Sequence, residues 1–357
     1  MKRCAVIGAF LASSFCFAFP QNVRSGYANC TTCHQSPTGG GILTPYGRNL
    51  SADLMSVASR ENEEKFLYGA LKLPEWLNLG GDIRGLQLYQ NRVSRETAEF
   101  IFMQADAEAA ITVGKVTVDG TAGVTPQGKP LSRRHYLQVR PTDELSFRAG
   151  RFLPAAGINT ENHSVAVKRG LGRDQGTETY NVEGAWIGQS FDLFVTGILG
   201  RLDNQDLGAE MGASVSSSVF LGNRHKIGAS YVYLTRDVGV RNLAGPFFIL
   251  GLGKRFFLMA DTAFTWFNPK GGASQTGFAD TTRFNYEMFQ GVHLYLSQEF
   301  VQNNFLDTAS QLEAYGVGFQ FFPRPHLELN AQYLKQRYGG TRSTFADYAY
   351  AMLHFYL

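Results

Sequence analysis

The chain has 357 residues, of which 18% are charged and 44% hydrophobic, and it contains 39 glycines, 28 phenylalanines and 16 tyrosines. Its 33 basic and 30 acidic side chains give a formal net charge of +3. This near balance provides no electrostatic basis for binding nucleic acid, which needs a clustered excess of lysine and arginine. An aromatic, glycine-rich and weakly charged composition favours a β protein with apolar outward faces.

Residues 1–18 are predicted to be a secretory signal peptide. Two basic residues precede an apolar run that ends at Phe17, where small residues suit cleavage. The alternative is a single anchoring helix, but the run is shorter than the ~20 residues that a membrane span needs. Without this segment, Cys30 and Cys33 are the only cysteines, which excludes a disulfide framework.

The segment Cys30-Thr31-Thr32-Cys33-His34 has the C-x-x-C-H pattern that attaches a c-type haem. Two thiols three positions apart can form thioethers to the two vinyl groups of one porphyrin. His34 then offers its imidazole as the proximal ligand of the iron. One covalent haem c is therefore the predicted cofactor. The alternatives are a local disulfide or half of a shared zinc site, although no second Cys/His pair with zinc spacing occurs.

Residues 19–74 are predicted to form a monohaem cytochrome c-like plug. Residues 37–41 have the composition of a loop, 44–47 that of a turn, and 51–71 that of a helix with Ser51 as its N-cap. So small a unit buries too little apolar surface to hold a haem alone. We therefore expect it to pack against the rest of the chain.

Residues 75–357 are predicted to form a transmembrane β-barrel. Apolar and polar residues alternate in segments such as 101–109, 226–231 and 327–333. Outward apolar and inward polar residues are typical of an outer-membrane barrel with a wet lumen. The alternative is a soluble sandwich or barrel, which would carry more charge on its outer face.

The spacing of turn residues predicts about sixteen antiparallel strands. Seven tight turns are expected near residues 113–114, 141–142, 188–189, 222–223, 253–254, 290–291 and 323–325. Eight longer polar connections are expected near residues 91–95, 124–131, 154–177, 202–206, 236–245, 267–279, 301–309 and 338–343. Short periplasmic turns and longer extracellular loops are the usual arrangement. Because the strands around 236–290 are weakly marked, fourteen strands are the alternative.

Aromatic residues mark the ends of several predicted strands. Trp76, Trp186 and Trp266 fall where an aromatic girdle is expected, although ordinary packing would also explain them. The last ten residues, 348–357, alternate and are rich in tyrosine and phenylalanine. This ending resembles the assembly signal of outer-membrane barrels, with Leu357 in place of the usual phenylalanine.

The haem motif and the barrel pattern together resemble the outer-membrane cytochrome–porin fusions of iron-oxidising bacteria. Residues 43–47, Leu-Thr-Pro-Tyr-Gly, are similar to the L-x-P-[FY]-G segment that follows the haem motif in that family. The chain departs from the family in its shortness and in the glycine run 39–41. The resemblance implies a bacterial outer-membrane protein, in contact with lipid, that exchanges electrons between an extracellular donor or acceptor and a periplasmic carrier such as a soluble cytochrome c. Ferrous iron is the implied donor.

We hypothesise that the plug occupies the lumen, where the barrel wall separates the haem from lipid. Met55 is one candidate for the distal iron ligand, and its alternative role is that of a packed helix residue. His163 is a second candidate, because the third extracellular connection of sixteen-stranded porins folds inward, and its alternative is a solvated loop residue. Arg48 could pair with a haem propionate or be solvated at the surface. Charged residues with inward phase are Asp82, Arg84, Asp106, Glu108, Arg134, Arg140 and Arg148.

Two functions fit these features. The first is a redox conduit, which could act as an extracellular Fe(II) oxidase. The second is a diffusion porin in which the haem-bearing segment plugs or gates the lumen. Haem enzyme chemistry such as peroxidase action is less well supported, because the sequence allows no distal His/Arg pair to be placed beside the iron.

Overall fold

The structure is a computed structural model that describes residues 20–27, 29–92, 95–160, 162, 165–202, 210–222, 224–340 and 343–357. Within these ranges no helix is long and apolar enough to cross a membrane. The described strands are β1 Leu77–Arg92, β2 Arg95–Val113, β3 Val116–Val124, β4 Pro130–Leu131, β5 His135–Val139, β6 Leu145–Phe152, β7 Thr179–Ile187, β8 Phe191–Gly200, β9 Met211–Leu221, β10 His225–Arg236, β11 Gly239–Leu252, β12 Phe256–Pro269, β13 Gln275–Phe289, β14 Val292–Gln302, β15 Leu312–Arg324, β16 Leu327–Tyr338 and β17 Ala346–Tyr356.

The strands form one closed antiparallel barrel. Each strand pairs with its neighbours in sequence, and β17 returns to pair with β1, from Asp82 opposite Tyr356 to Asn91 opposite Asp347. The short strands β4 and β5 both pair with β3 and together fill one position. The barrel therefore has sixteen strand positions, which confirms the predicted all-β architecture and excludes the alternative of fourteen.

The tight turns lie where the glycine and proline signals predict them. Gly114, Gly222, Gly253 and Gly291 adopt positive φ values of 60°, 57°, 85° and 78° in four of the seven turns. A residue without a Cβ takes this left-handed conformation at no steric cost. Both chain ends of the barrel lie on the same side as these turns, because the strand number is even.

Two of the predicted long connections are wrong. Residues 236–245 and 267–279 are largely strand, because β11 starts at Gly239 and β13 starts at Gln275. Residues 239–245 of the predicted loop pair with β10, while the β11–β12 pairing omits Gly245 and Pro246. Proline has no N–H to donate to a β-ladder. The pairing of β11 is interrupted on the side that faces β12 and continues on the side that faces β10.

Apolar residues face outward and polar residues face the lumen. In β3, Val116 and Val118 are exposed, whereas Thr117, Asp119 and Thr121 are buried. Gln35 of the N-terminal segment donates to the Thr117 hydroxyl over 3.3 Å, which identifies this face as luminal. Trp76, Trp186 and Trp266 are all exposed close to strand ends.

The N-terminal segment contains short helices rather than the predicted helix over 51–71. Helix α1 spans Pro45–Leu50, and a π-helical turn, Ser51–Met55, follows it. Short 3₁₀ segments span Pro20–Ser25, Cys30–Thr32 and Phe66–Gly69. The cap is Thr44, whose side chain accepts from the Gly47 N–H. The predicted helix ends at this turn: the backbone of Ser56 is extended, and the Val57 N–H donates to the distant Phe322 carbonyl.

Candidate functional site

The N-terminal segment lies inside the barrel and contacts the luminal face of many strands. Arg24 forms a buried ion pair with Glu287 of β13. Arg48 is buried and donates to the Asn78 side chain over 2.8 Å. Ser51 Oγ accepts from the His326 N–H over 2.9 Å. The segment is thus tied to the barrel on several sides, and the expectation that it packs against the barrel agrees with these contacts.

A further anchor lies at the rim of the barrel. Arg324 donates from Nε to Glu63 over 2.8 Å. Partial burial would raise the pKa of the Glu63 carboxyl, but the hydrogen bonds from Arg324 and from the Arg60 N–H outweigh burial and hold that pKa below its usual range. This contact fixes the chain where it leaves the lumen and approaches β1.

The C-x-x-C-H residues form one compact turn. The N–H groups of Cys33 and His34 both donate to the Cys30 carbonyl, over 3.2 and 2.9 Å. The Cys33 carbonyl in turn accepts from the Thr44 N–H over 2.8 Å. A Cβ on Gly47 would lie 2.4 Å from the Cys33 carbonyl oxygen, so only glycine permits helix α1 to approach this closely.

The ring of His34 is oriented by a backbone acceptor. Its Nδ1 lies 3.3 Å from the Gly41 carbonyl oxygen. A carbonyl oxygen only accepts, so Nδ1 carries the proton and Nε2 keeps a lone pair. Burial lowers the pKa of His34 to about 4, which keeps the ring neutral at physiological pH. A neutral imidazole held by an Nδ1–H to carbonyl bond is the usual state of a metal-ligating histidine.

The glycine run 39–41 shapes the loop that follows His34. All three glycines have positive φ values, between 70° and 79°. The Ile42 N–H after the run donates to Glu108 over 3.0 Å, and Arg134 donates to the same carboxylate over 2.8 Å. A Cβ on Gly41 would lie 2.7 Å from both side chains. The run therefore allows the loop to pass over the Arg134–Glu108 ion pair.

The third long connection, residues 153–178, also folds into the lumen. Its helix α2 spans Ala166–Arg169, and the Ala166 N–H donates to Glu299 of β14 over 2.9 Å. Glu299 lies on the opposite wall of the barrel from β6 and β7, which the connection joins. Asn159 of this connection donates to the Thr38 carbonyl over 2.9 Å. The connection and the N-terminal segment thus meet inside the barrel.

Two cavities lie between the N-terminal segment, the third connection and the barrel wall. The first, which we call the Cys30 cavity, lies against β8–β11. The second, the His34 cavity, lies against β1, β17 and β6. Five residues line both cavities: Thr38, Leu153, Asn159, Lys168 and Arg173.

The residues present fit a c-type haem in their chemistry. Cys30 and Cys33 are free thiols, so the alternative of a local disulfide is not what the structure contains. Cys30 faces one cavity, and the oriented His34 ring borders the other. Cys33 borders neither, because it packs against Tyr27 and Leu50. A thioether at Cys33 therefore requires this small apolar cluster to open.

Met55 and His163 are the other two predicted iron ligands. Met55 is buried among Leu43, Phe322 and Tyr356, and its sulfur lies 3.8 Å from the Asn22 amide nitrogen. It borders neither cavity, and its role as distal ligand stays a prediction. His163 lies outside the described residues. Among the residues that the structure does describe, no group of three or more His, Cys, Asp or Glu side chains is placed to hold a metal ion.

Most charged residues predicted to face the lumen do so, in ion pairs. Four pairs join Asp82 with Arg84, Asp106 with Arg133, Glu108 with Arg134, and Glu183 with Arg148. Arg140 is the exception, because it lies in the β5–β6 turn and donates to the Asp143 carbonyl. Arg48 is buried rather than solvated, and burial lowers its pKa to about 10.

Sequence reasoning missed several partners of this site. Arg24, Arg133 and Lys226 were not singled out, although each pairs with a carboxylate inside the barrel. The inward phase of Lys226 on β10 was a usable signal. Arg24 and Arg133 lie outside regular strands, so no periodicity marks the direction of their side chains.

Solved structures of outer-membrane proteins share this fold. OmpT of Vibrio cholerae superposes with a TM-score of 0.62 at 13% identity, over 80% of this chain and 99% of that one. The outer-membrane channel DcaP of Acinetobacter baumannii gives 0.58 at 12% identity, over 79% and 97%. OmpF of Salmonella typhi, solved with daunomycin, gives 0.59 at 10% identity, over 79% and 97%.

No family model and no curated protein matches the chain. The structural likeness at 10–13% identity establishes the fold alone. The barrel is thus a porin-like outer-membrane barrel in architecture.

Proposed function

We propose that this chain is an electron-transfer protein of the bacterial outer membrane, which carries one covalent haem c inside a porin-like barrel. The observation that supports it most is that residues 30–34 lie in the lumen, between the barrel wall and the third connection. In porin barrels the chain ends and short turns face the periplasm. We therefore infer that the N-terminal segment enters from the periplasmic side.

Three residues of the site would bind the haem. Cys30 and Cys33 would form the two thioethers, and His34 would ligate the iron through Nε2. A bound haem supplies one-electron chemistry through its iron. The Gly41 carbonyl fixes the ring of His34, and the glycine run fixes the position of that carbonyl.

A position in the lumen also shortens the distance between the haem and an extracellular donor. The hydrocarbon core of a bilayer is ~30 Å thick, so a haem held below the barrel could not meet an external donor. A group inside the lumen is separated from lipid by the strand wall. Ferrous iron is the extracellular donor that we propose from the family resemblance, and a soluble cytochrome c is the proposed periplasmic partner.

Electron transfer across a sealed membrane tests this function. Purified protein is placed in liposomes with a ferrous donor outside and an oxidised cytochrome c trapped within. We expect the trapped cytochrome to become reduced with wild-type protein and to stay oxidised with the Cys30→Ser/Cys33→Ser variant. If no electrons cross while the wild-type haem is intact, the conduit function is wrong.

The second candidate is a diffusion porin that the N-terminal segment plugs or gates. Two observations favour it. The solved structures that share this fold include an outer-membrane channel, and Asn159 of the third connection contacts Thr38 of the N-terminal segment inside the barrel. Single-channel recording in planar bilayers separates the two functions. A plugged conduit should show little ion conductance, whereas steady conductance by the folded wild-type protein would favour the porin.

A further inference from the structure

One sector of the lumen departs from the polar lining of the rest. On β8, Phe194 and Ile198 are buried toward the lumen, while Val195 and Leu199 between and after them are exposed on the outer face. Neighbouring strands add the buried residues Ile187, Val232, Leu234, Leu243, Phe247 and Ile249. A water-filled lumen normally takes polar residues at such positions. This sector therefore requires something apolar inside the barrel to cover it.

The chain itself covers part of the sector, in three separate apolar clusters. In the first, Val165 and Leu171 of the third connection pack on Ile198 and its neighbours. The second joins Val23 and Ile158 to Phe247, Ile249, Phe257 and Met259, and the third joins Ala155 to Ala185, Ile187 and Phe194. All three clusters contribute residues to the lining of the Cys30 cavity. The cavity thus lies where the three clusters meet, with apolar surface on several sides.

The two cavities differ in the chemistry of their linings. Around the His34 cavity, the described aliphatic and phenylalanine side chains are Leu43, Phe152 and Leu153, and most of the other lining residues are polar or charged. The Cys30 cavity is lined by ten residues of the apolar clusters: Val23, Ala155, Ile158, Ile187, Phe194, Ile198, Val232, Leu234, Phe247 and Ile249. An apolar ring system would therefore lose less by leaving water for the Cys30 cavity than for the His34 cavity.

Cys30 borders this cavity at the end of the barrel where part of its apolar lining lies. The neighbouring Asn29 side chain donates to the Gly188 carbonyl over 3.1 Å, directly after Ile187. Lys226, which also lines the cavity, lies opposite Ile249 in the β10–β11 register. A group attached to the Cys30 sulfur would thus begin beside the strands that carry these isoleucines.

We propose that Ile187, Phe194, Phe247 and Ile249 form the surface against which the ring of a tetrapyrrole attached at Cys30 packs. This inference rests on the proposed function. Burial of a flat apolar ring is favourable in proportion to the area removed from water, and phenylalanine side chains add favourable ring contacts. The linings of the two cavities share five residues, so the cavities adjoin and the ring would lie where they meet, with His34 on its other side. The barrel wall would then orient the haem as well as enclose it.

Methyl NMR of the intact holoprotein in lipid nanodiscs tests this packing. Isoleucine is labelled with ¹³C at its δ1 methyl, and spectra of the ferric protein are compared with those of the ferrous protein saturated with carbon monoxide. Only the ferric iron is paramagnetic, so it shifts the signals of nearby methyls. We expect large changes at Ile187 and Ile249, assigned through their valine variants. Ile101 of β2 is the matched control, because it packs against Leu86 and Leu88 and borders neither cavity.

The outcomes separate this inference from the proposed function. If wild-type protein contains no covalent haem, both are wrong. If haem is attached but the methyls of Ile187 and Ile249 shift no more than that of Ile101, only the packing surface is wrong.

The midpoint potential provides a second measurement. Ile249→Asn brings a polar group to the ring and should lower the midpoint potential, because polar surroundings stabilise the charge of the ferric state. Ile101→Asn should leave it unchanged. Equal potentials in the two variants would overturn the packing surface. Should Ile249→Asn fail to fold, the methyl shifts of the wild-type protein decide.

Discussion

Arg148 of β6 connects the barrel wall to the N-terminal segment, and its removal should strongly destabilise the folded protein. Its Nε lies 2.7 Å from Glu183, and both side chains are only 1% exposed. Its two terminal nitrogens donate to the hydroxyls of Ser36 and Thr38, each over 3.1 Å. The guanidinium also lies 3.8 Å from the centre of the Phe152 ring. One side chain thus serves an ion pair, two hydrogen bonds and an aromatic contact.

Substitution Arg148→Met would leave the Glu183 carboxylate buried without its cation. Breaking a buried pair in this way costs about 3–5 kcal/mol, and solvent screening does not reduce the figure here because neither group is exposed. The double variant Arg148→Met/Glu183→Gln should recover most of the loss, since no uncompensated charge remains. Arg140→Gln is the matched control: Arg140 is half-buried in the β5–β6 turn and its side chain donates to the Asp143 carbonyl, so this change should alter stability by less than ~0.5 kcal/mol.

Equilibrium unfolding by urea in lipid vesicles measures these differences, with folding followed by tryptophan fluorescence. Limited proteolysis of the same samples reports release of the N-terminal segment, which should be faster in Arg148→Met. If Arg148→Met unfolds at the same urea concentration as Arg140→Gln, the luminal ion pair does not hold the segment in the way described.

Three further changes test other parts of the structure. Gly47→Ala places a Cβ against the Cys33 carbonyl and should reduce haem attachment, measured by a haem stain. Gly120→Ala is the control, because its Cβ would meet open space and attachment should not change. Equal staining of the two variants would refute the close approach of helix α1 to Cys33. Met55→Ala should lower stability by ~2–5 kcal/mol through lost packing and leave the visible spectrum of the iron unchanged; a change of spin state would instead identify its sulfur as the distal ligand. The Glu63 anchor has a lowered carboxylate pKa, so its contribution is complete above the ordinary glutamate pKa of ~4.3 and is lost as pH falls through the lowered value. Proteolysis of the N-terminal segment should therefore accelerate in acid for wild type, but not for Glu63→Gln.

The barrel was largely predictable from the sequence because its signals are local. Strand alternation and turn glycines such as Gly114 and Gly222 each depend on a few neighbouring residues. The count of sixteen strands follows from adding such signals along the chain. Over residues 236–245 the same signals wrongly predicted a loop, because polar strand residues that face the lumen resemble those of a connection.

The lumen was less predictable because its contacts join residues far apart in the chain. Arg24 and Glu287 are separated by 263 positions, and Arg148 and Ser36 by 112. Neither periodicity nor composition determines such partners. The helix predicted from Ser51 onward failed for the same reason, since Val57 pairs with the distant Phe322.

Intact mass spectrometry of the mature chain, purified from outer membranes, decides whether a haem is attached at residues 30–34. We predict a mass one haem greater than that of the polypeptide, together with a c-type pyridine haemochrome spectrum. The Cys30→Ser/Cys33→Ser variant should have the mass of the polypeptide alone. An unmodified mass for folded wild-type protein, made in cells that mature c-type cytochromes, would contradict the account.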